Sequence, residues 1–274
     1  MKMTSKLLSL TFAMTTLLGG TNAMAQAGGG MPAKDNWPEI HRDVFQSRDL
    51  NVDSGGIVMD APDRAEDAAL TPITLTVPAA FADNAKSVTL VIDQNPSPVA
   101  FSIEFGPAAG KGDRMISTRV RVDAYTDIHA VMETNDGKLH MVKKFVKAAG
   151  GCSAPALKDM DSIMAEIGKM KVTMTAPATD KTLAEGHLMI KHPQYSGLQT
   201  NQATGYWIPF KYITEMEVKR GADVIFKLNG GISISEDPNI RFTYQAGNPD
   251  DVIEVTATDT DKRVMKGASI SKGS

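Results

Sequence analysis

The chain has a single cysteine, Cys152, in 274 residues. No disulfide can close within it, so packing and hydrogen bonds alone must hold the fold. Charge of one sign is also missing: 29 basic residues face 32 acidic ones, for a formal net charge of −3. That balance gives no reason to expect nucleic acid or an anionic membrane surface as a partner. The five histidines, His41, His129, His140, His187 and His192, show no zinc-motif spacing. The glycine pairs match no phosphate-cradling motif, and no motif calls for a metal or another cofactor. Past the N-terminal region, no segment reaches the roughly 20 apolar residues that a membrane span needs.

What is present begins with a leader. Lys2 and Lys6 precede an apolar stretch from Leu7 to Leu18, and Ala23-Met24-Ala25 forms an A-x-A site. These features predict a signal peptide over residues 1–25, general export without a twin-arginine pair, and a bacterial periplasm as destination. Exported proteins ordinarily use cysteines in pairs, so a lone one is either kept for its chemistry or incidental. Residues 26–36, rich in Gly and Ala at their start, read as a disordered leader.

From Trp37 onward the pattern is mostly β. Trp37 to Phe45 reads as a short helix. Six strand-like runs follow: Ile73–Val77, Ser87–Ile92, Val99–Phe105, Ser117–Asp123, Ile128–Met132 and Leu139–Val146. Val99–Phe105, V-A-F-S-I-E-F, has a clean period of two. Ser117–Asp123 places Val120 and Val122 on one face and Arg119 and Arg121 on the other. Asn135-Asp136-Gly137 is a hairpin turn sequence. After Cys152, Leu157, Met160, Ile163, Met164 and Ile167 recur at helical spacing, with Pro155 suited to the first turn and Gly168 to the end. Seven more strand-like runs follow between Lys171 and Ile270.

The fold expected is therefore all-β: two immunoglobulin-like sandwiches, residues 37–147 and 170–274, joined by a flexible arm and short helix over residues 148–169. Met160 and Met164, like Met170 and Met174, share a face and read as core pairs rather than a copper site.

Cys152 sits in Ala148-Ala149-Gly150-Gly151-Cys152-Ser153-Ala154-Pro155-Ala156. The run has nothing large to pack, so an exposed thiol on a mobile arm is expected, with Gly150 and Gly151 supplying the flexibility. A helix starting near Pro155 would place Cys152 at its positive end, and Lys143, Lys144, Lys147 and Lys158 are near in sequence. Both would favour the thiolate. The alternative is a buried, inert cysteine. Nothing local pairs it with a catalytic histidine.

In order along the chain, several segments resemble the two components of the Sox periplasmic sulfur carrier. Gly150-Gly151-Cys152 resembles the glycine-glycine-cysteine of the SoxY swinging arm. Ile57-Val58-Met59-Asp60-Ala61-Pro62 through Pro72-Ile73-Thr74-Leu75 resembles the entry to the SoxY strands. Ile190-Lys191-His192-Pro193, Ser196-Gly197, Ile208-Pro209 to Glu217, Phe226 and Ile240-Arg241-Phe242 resemble SoxZ.

The resemblance implies a non-enzymatic carrier for sulfur metabolism such as thiosulfate oxidation. Cys152 would be the covalent attachment point, and periplasmic Sox-type enzymes the partners. The chain departs from the carrier in that its arm is internal and its halves are fused. In this it is similar to the SoxYZ-like proteins associated with quinoprotein dehydrogenases. That likeness leaves open an adaptor role toward a PQQ-dependent dehydrogenase or its cytochrome, with Cys152 incidental; a thiol-dependent redox enzyme is the second alternative. A disulfide-linked homodimer through Cys152 is a further expectation. Nine residues held at both ends project only about 15 Å, half their extended length of roughly 30 Å.

Overall fold

The computed structural model describes residues 34–155, 160–175, 183–247 and 251–269. The predicted leader, residues 1–25, lies outside them. Among the described residues no helix is long and apolar enough to cross a membrane.

Helix α1 (Trp37–Phe45) turns its Ile40 and Phe45 inward. Lys34 to Asn36, expected within the leader, is tied down instead: the Asn36 side chain donates to the Asp93 carbonyl at 3.1 Å and the Gln94 side chain to the Lys34 carbonyl at 2.6 Å. The first half then supplies β1 (Leu50–Val52), β2 (Val58–Asp60), β3 (Thr71–Val77), the helical turn α2 (Ala79–Ala82), β4 (Ala85–Ile92), β5 (Val99–Phe105), β6 (Arg114–Val120), β7 (Thr126–Thr134) and β8 (Leu139–Val146). After the arm come α3 (Met160–Glu166), β9 (Met170–Thr175), β10 (Leu183–Ile190), β11 (Ile213–Arg220), β12 (Asp223–Gly230), β13 (Asn239–Gln245), β14 (Ile253–Asp259) and β15 (Val264–Ala268). Alternating burial along β3 and β14 reflects the pleat, which turns successive side chains to opposite faces.

The strands form two facing sheets. One has the order β1-β8-β7-β4-β5-β12-β11-β14-β15 and the other β2-β3-β6-β13-β10-β9. All pairings between these strands are antiparallel except β1 with β8. The two sandwich halves therefore meet edge to edge, β5 on β12 and β6 on β13, and both sheets run through the joint. Edge strands that would otherwise expose unpaired backbone are paired with each other.

The core is continuous across that joint. Phe226 on β12 meets Phe242 on β13 edge to face, with centroids 5.2 Å apart at 78°. Phe101 and Ile103 from β5 and Ile116 from β6 belong to the same buried cluster. Gly186 on β10 lies opposite Phe242, and a Cβ there would enter the phenyl ring. We expect Gly186→Val to destabilise the protein by about 1–3 kcal/mol through overpacking. A urea unfolding midpoint equal to that of the parent protein would refute this.

The helix expected from near Pro155 is described from Met160, and residues 156–159, Leu157 and Lys158 included, lie outside the described residues. Gly168, with φ +89°, ends the helical segment as expected. Ile163 and Ile167 pack against Tyr195 and Ile208, so the segment after the arm is fastened to the second half. Met164 is exposed rather than core, whereas Met170 and Met174 pack against the main core.

Candidate functional site

The arm does not project. Cys152 is fully buried, at 0% exposure, in a turn spanning Gly151 to Ser153. The expectation of an exposed thiol is thus corrected, and the reason is a seat built from both halves. On the first-half side, Gly150 N–H donates to the Asp123 carbonyl at 2.7 Å and Gly151 N–H to the Val122 carbonyl at 3.1 Å. The Cys152 N–H donates to the Asp123 carboxylate at 3.2 Å. On the second-half side, the Ser196 hydroxyl donates to the Cys152 carbonyl and the Gln199 amide donates to the Ala154 carbonyl at 2.8 Å. Arg121 spans the joint, donating to the Gly151 carbonyl at 3.2 Å and to the Gln194 carbonyl at 3.5 Å.

The glycines are part of this fit. Gly150 has φ +75°, a left-handed conformation that favours glycine. A Cβ on Gly151 would run into the Ala68 carbonyl oxygen and come within 2.6 Å of the Val122 carbonyl oxygen. Any larger residue there is incompatible with the seated arm.

The seat is itself braced. Asn95 is buried and accepts from the Asp123 N–H at 2.9 Å while donating to the Arg121 carbonyl and the Ser233 hydroxyl, each at 2.8 Å. Arg121 N–H donates to the Ser233 carbonyl at 2.7 Å, lacing residues of the two halves together. In the other wall, the Ser196 hydroxyl accepts from the Leu198 N–H and the Gln199 amide oxygen accepts from the Ser196 N–H, both at 3.2 Å. Gln194 holds a left-handed backbone, φ +47°, where the chain turns into this loop.

Burial pushes the Cys152 thiol up to about 12; the Asp123 carboxylate adds to the rise and Arg121 opposes it. The seated sulfur is therefore a thiol, well above the ordinary ~8.5. Of the lysines expected to lower it, Lys143 pairs with Asp127 and Lys144 with Asp63, and Lys158 lies outside the described residues. No hydrogen bond to the Cys152 sulfur forms among the described residues. The seated state is a protected one.

The histidines have structural partners. His41 bonds the Arg48 carbonyl at 2.8 Å, His140 the Ser54 hydroxyl at 2.7 Å and His187 the Asn239 side chain at 2.7 Å. His129 is buried against Asp93 at 3.0 Å, beneath the Trp37 ring at 3.7 Å between centroids. His192 is buried below the seat loop. Its Nδ1 accepts from the Gln194 N–H at 3.1 Å, which leaves the proton on Nε2, 3.5 Å from the Asp259 carboxylate. Burial outweighs that carboxylate and lowers His192 to about 4. Among the described residues no His, Cys, Asp and Glu cluster is arranged to hold a metal ion.

Sequence reasoning missed Asp123, Ser196, Gln199 and the burial of Arg121. It also missed an exposed aromatic group on the loop from Ser196 to Lys211: Tyr206, Trp207 and Phe210 are 77%, 68% and 60% exposed. The base of this loop is the part that holds the arm, closed by the Tyr195–Lys211 and Thr200–Trp207 bridges.

Comparison with known proteins places the halves. Residues 41–152 match the family described as sulfur oxidation protein SoxY, and residues 170–269 match sulphur oxidation protein SoxZ. Among solved structures, the sulfur carrier protein SoxY from Chlorobium limicola f thiosulfatophilum is similar, at 23% identity and a TM-score of 0.35, over 41% of this chain and 91% of that one. No curated protein matches. The SoxY match ends on Cys152 itself, and the SoxZ match begins with β9. The chain thus belongs to the SoxYZ-like proteins, a SoxY domain and a SoxZ domain fused in tandem.

Proposed function

We propose that the protein is a covalent carrier of sulfur intermediates in the periplasm, with Cys152 as the attachment point and no catalysis of its own. One observation carries this reading: the lone thiol closes the SoxY domain and is seated by side chains of the SoxZ domain. A carrier needs two states. Seated, the sulfur is protonated and shielded from adventitious oxidants. Released, with Gly150 and Gly151 free to rotate, the thiol returns to an ordinary acidity and becomes accessible to a Sox-type enzyme that loads or unloads it. Release also permits a disulfide between two copies through Cys152 as a resting form.

Intact mass spectrometry of protein isolated from the periplasm tests the reading. A sulfur adduct on Cys152, absent from Cys152→Ser, is the expected result. The variant should lose sulfur-oxidising function while still binding partners. An unmodified Cys152 under turnover, together with full function of Cys152→Ser, would sink it.

The exposed Tyr206, Trp207 and Phe210 favour a second reading, an adaptor that docks a quinoprotein dehydrogenase or its cytochrome with Cys152 incidental. That reading requires Cys152→Ser to be silent, so the same experiment separates the two.

A further inference from the structure

The loop that seats the arm has a second, outward face. From Pro193 to Phe210 it holds no Asp, Glu, Lys or Arg, in a chain that is 22% charged. Tyr206, Trp207 and Phe210 stand out from it into solvent. The backbone beneath them is held, not slack. Asn201 N–H donates to the Tyr206 carbonyl at 2.9 Å and Gly205 N–H to the Asn201 carbonyl at 2.8 Å. The Asn201 side chain accepts from the Ala203 and Thr204 N–H groups at 2.9 and 3.1 Å. Ile208, between Trp207 and Phe210, is buried with Tyr195 and Ile163 and anchors the ridge. Ordered aromatics left without apolar cover mark interaction surfaces, and Trp and Tyr dominate binding there.

The rim of the ridge is basic. The turn between β14 and β15 is fastened to the end of the loop by Thr260 N–H, which donates to the Tyr212 carbonyl at 3.0 Å, and by the Lys211–Asp261 ion pair. That pair occupies the Asp261 carboxylate, and Asp259 is fully buried, so the charges presented outward by the turn are Lys262 and Arg263. The ridge is also close to the seat. Thr200 and Trp207 face each other across an antiparallel bridge, and Ile208 N–H donates to the Gln199 carbonyl at 2.8 Å. Residues paired in this way lie about 5 Å apart, which puts the Trp207 backbone within roughly 10 Å of Gln199. The Gln199 amide is the group that holds Ala154 of the arm.

We propose that Tyr206, Trp207 and Phe210 dock the protein that acts on the Cys152 thiol, and that this partner offers an apolar cleft rimmed by carboxylates. The inference rests on the carrier reading for what the partner does, and on the ridge for the surface it presents. A partner seated here has its entrance within the ~15 Å that the released arm can project. Charge selects the occupant. A second copy docked ridge to ridge about a two-fold axis would bring both basic turns to one interface. An anionic membrane surface calls for a cluster of roughly 4–8 basic residues, more than Lys262 and Arg263 supply. Carboxylates on a different protein satisfy both cations.

The test begins with p-benzoylphenylalanine in place of Tyr206 in the full protein, irradiated in the cells that naturally make it. Mass spectrometry identifies the cross-linked protein. That protein is then purified and its binding measured to the Cys152→Ser form, so that thiol chemistry plays no part. Trp207→Ala should weaken this binding about thirtyfold, the loss typical of a central interface aromatic. Phe210→Ala is the second variant, should Trp207→Ala lose its folded circular-dichroism signature. Neutralising the rim with Lys262→Asn and Arg263→Gln should slow association about threefold to tenfold at low ionic strength and flatten its salt dependence, with dissociation nearly unchanged. Cross-linking only to a second copy, only to lipid or to nothing overturns the proposal. So does affinity within threefold of the parent for both aromatic variants, or an association rate indifferent to the rim. If ridge-dependent binding holds while Cys152→Ser keeps full sulfur-oxidising function in cells, the docking surface stands and the carrier reading falls.

Discussion

Replacing Gly151 with valine is expected to raise the alkylation rate of Cys152 at pH 8 by about a hundredfold or more. The seated thiol reacts only through opening of the arm. Opening gives up the bonds from Asp123, Ser196, Gln199 and Arg121, each contributing on the order of 1 kcal/mol net. Three to four such bonds hold the open population at roughly one part in a few hundred to a thousand. Valine at 151 cannot enter the space between the Ala68 and Val122 carbonyls, so the arm stays out. The sulfur then moves from a seated value of about 12 toward its ordinary acidity. Removing two seat bonds with Ser196→Ala and Gln199→Ala together should produce a smaller rise, about tenfold to thirtyfold. Iodoacetamide kinetics followed by mass spectrometry measure both. The seat has no protective role if Gly151→Val, still folded by circular dichroism, reacts within threefold of wild type.

Acid should destabilise the protein through His192. Its folded value of about 4 lies below the ordinary ~6.5 of an unfolded histidine. Between those values the unfolded chain binds a proton that the folded chain refuses, so stability falls as pH falls through that window. The stabilising effect of the neutral ring is complete above pH ~6.5 and lost by pH ~4, with a total near 3 kcal/mol. Denaturant unfolding across that range should show the slope in wild type and lose it in His192→Gln, whose side chain cannot charge. Because the ring accepts from Gln194 at the root of the seat loop, the first structure to loosen should be the seat itself. Cys152 should then become more accessible to an acid-competent thiol reagent such as a pyridyl disulfide near pH 4.5. Parallel stability curves for wild type and His192→Gln would rule this out.

Much of the fold was legible locally. Val99–Phe105 carries a period of two and Leu139–Val146 follows a hairpin turn sequence, and for both the predicted and observed bounds coincide. Asn135-Asp136-Gly137 marks the β7–β8 turn, and there the Lys138 ammonium, then the Thr134 hydroxyl, hold the Asp136 carboxyl well below the usual carboxylate range. The three-residue strands β1 and β2 carry too few residues to show a period, and their pairing with β8 and β3 defines them.

Alternation also misplaced Arg121. It assigned the side chain to the face of Arg119, but β6 ends at Val120 and the next residues turn into the joint between halves, where Val120, Arg121 and Val122 are all buried. The burial of Cys152 had no local signal. Gly151 beside it is small because carbonyls crowd it, not because the segment is slack, and the side chains that hold the arm come from Arg121 and Asp123 well before it and from Ser196 and Gln199 more than forty positions on.

The paired edges β5–β12 and β6–β13 have a consequence for stoichiometry. Where arm and seat belong to separate chains, dilution in an exported fluid lowers the fraction of arms that find a seat, by simple mass action. Here arm and seat travel in one polypeptide, and the local concentration of each for the other is set by chain geometry. Sheltering of the thiol is then the same for a single molecule as for a crowded compartment. No exchange of halves between molecules can leave Cys152 without its partner wall.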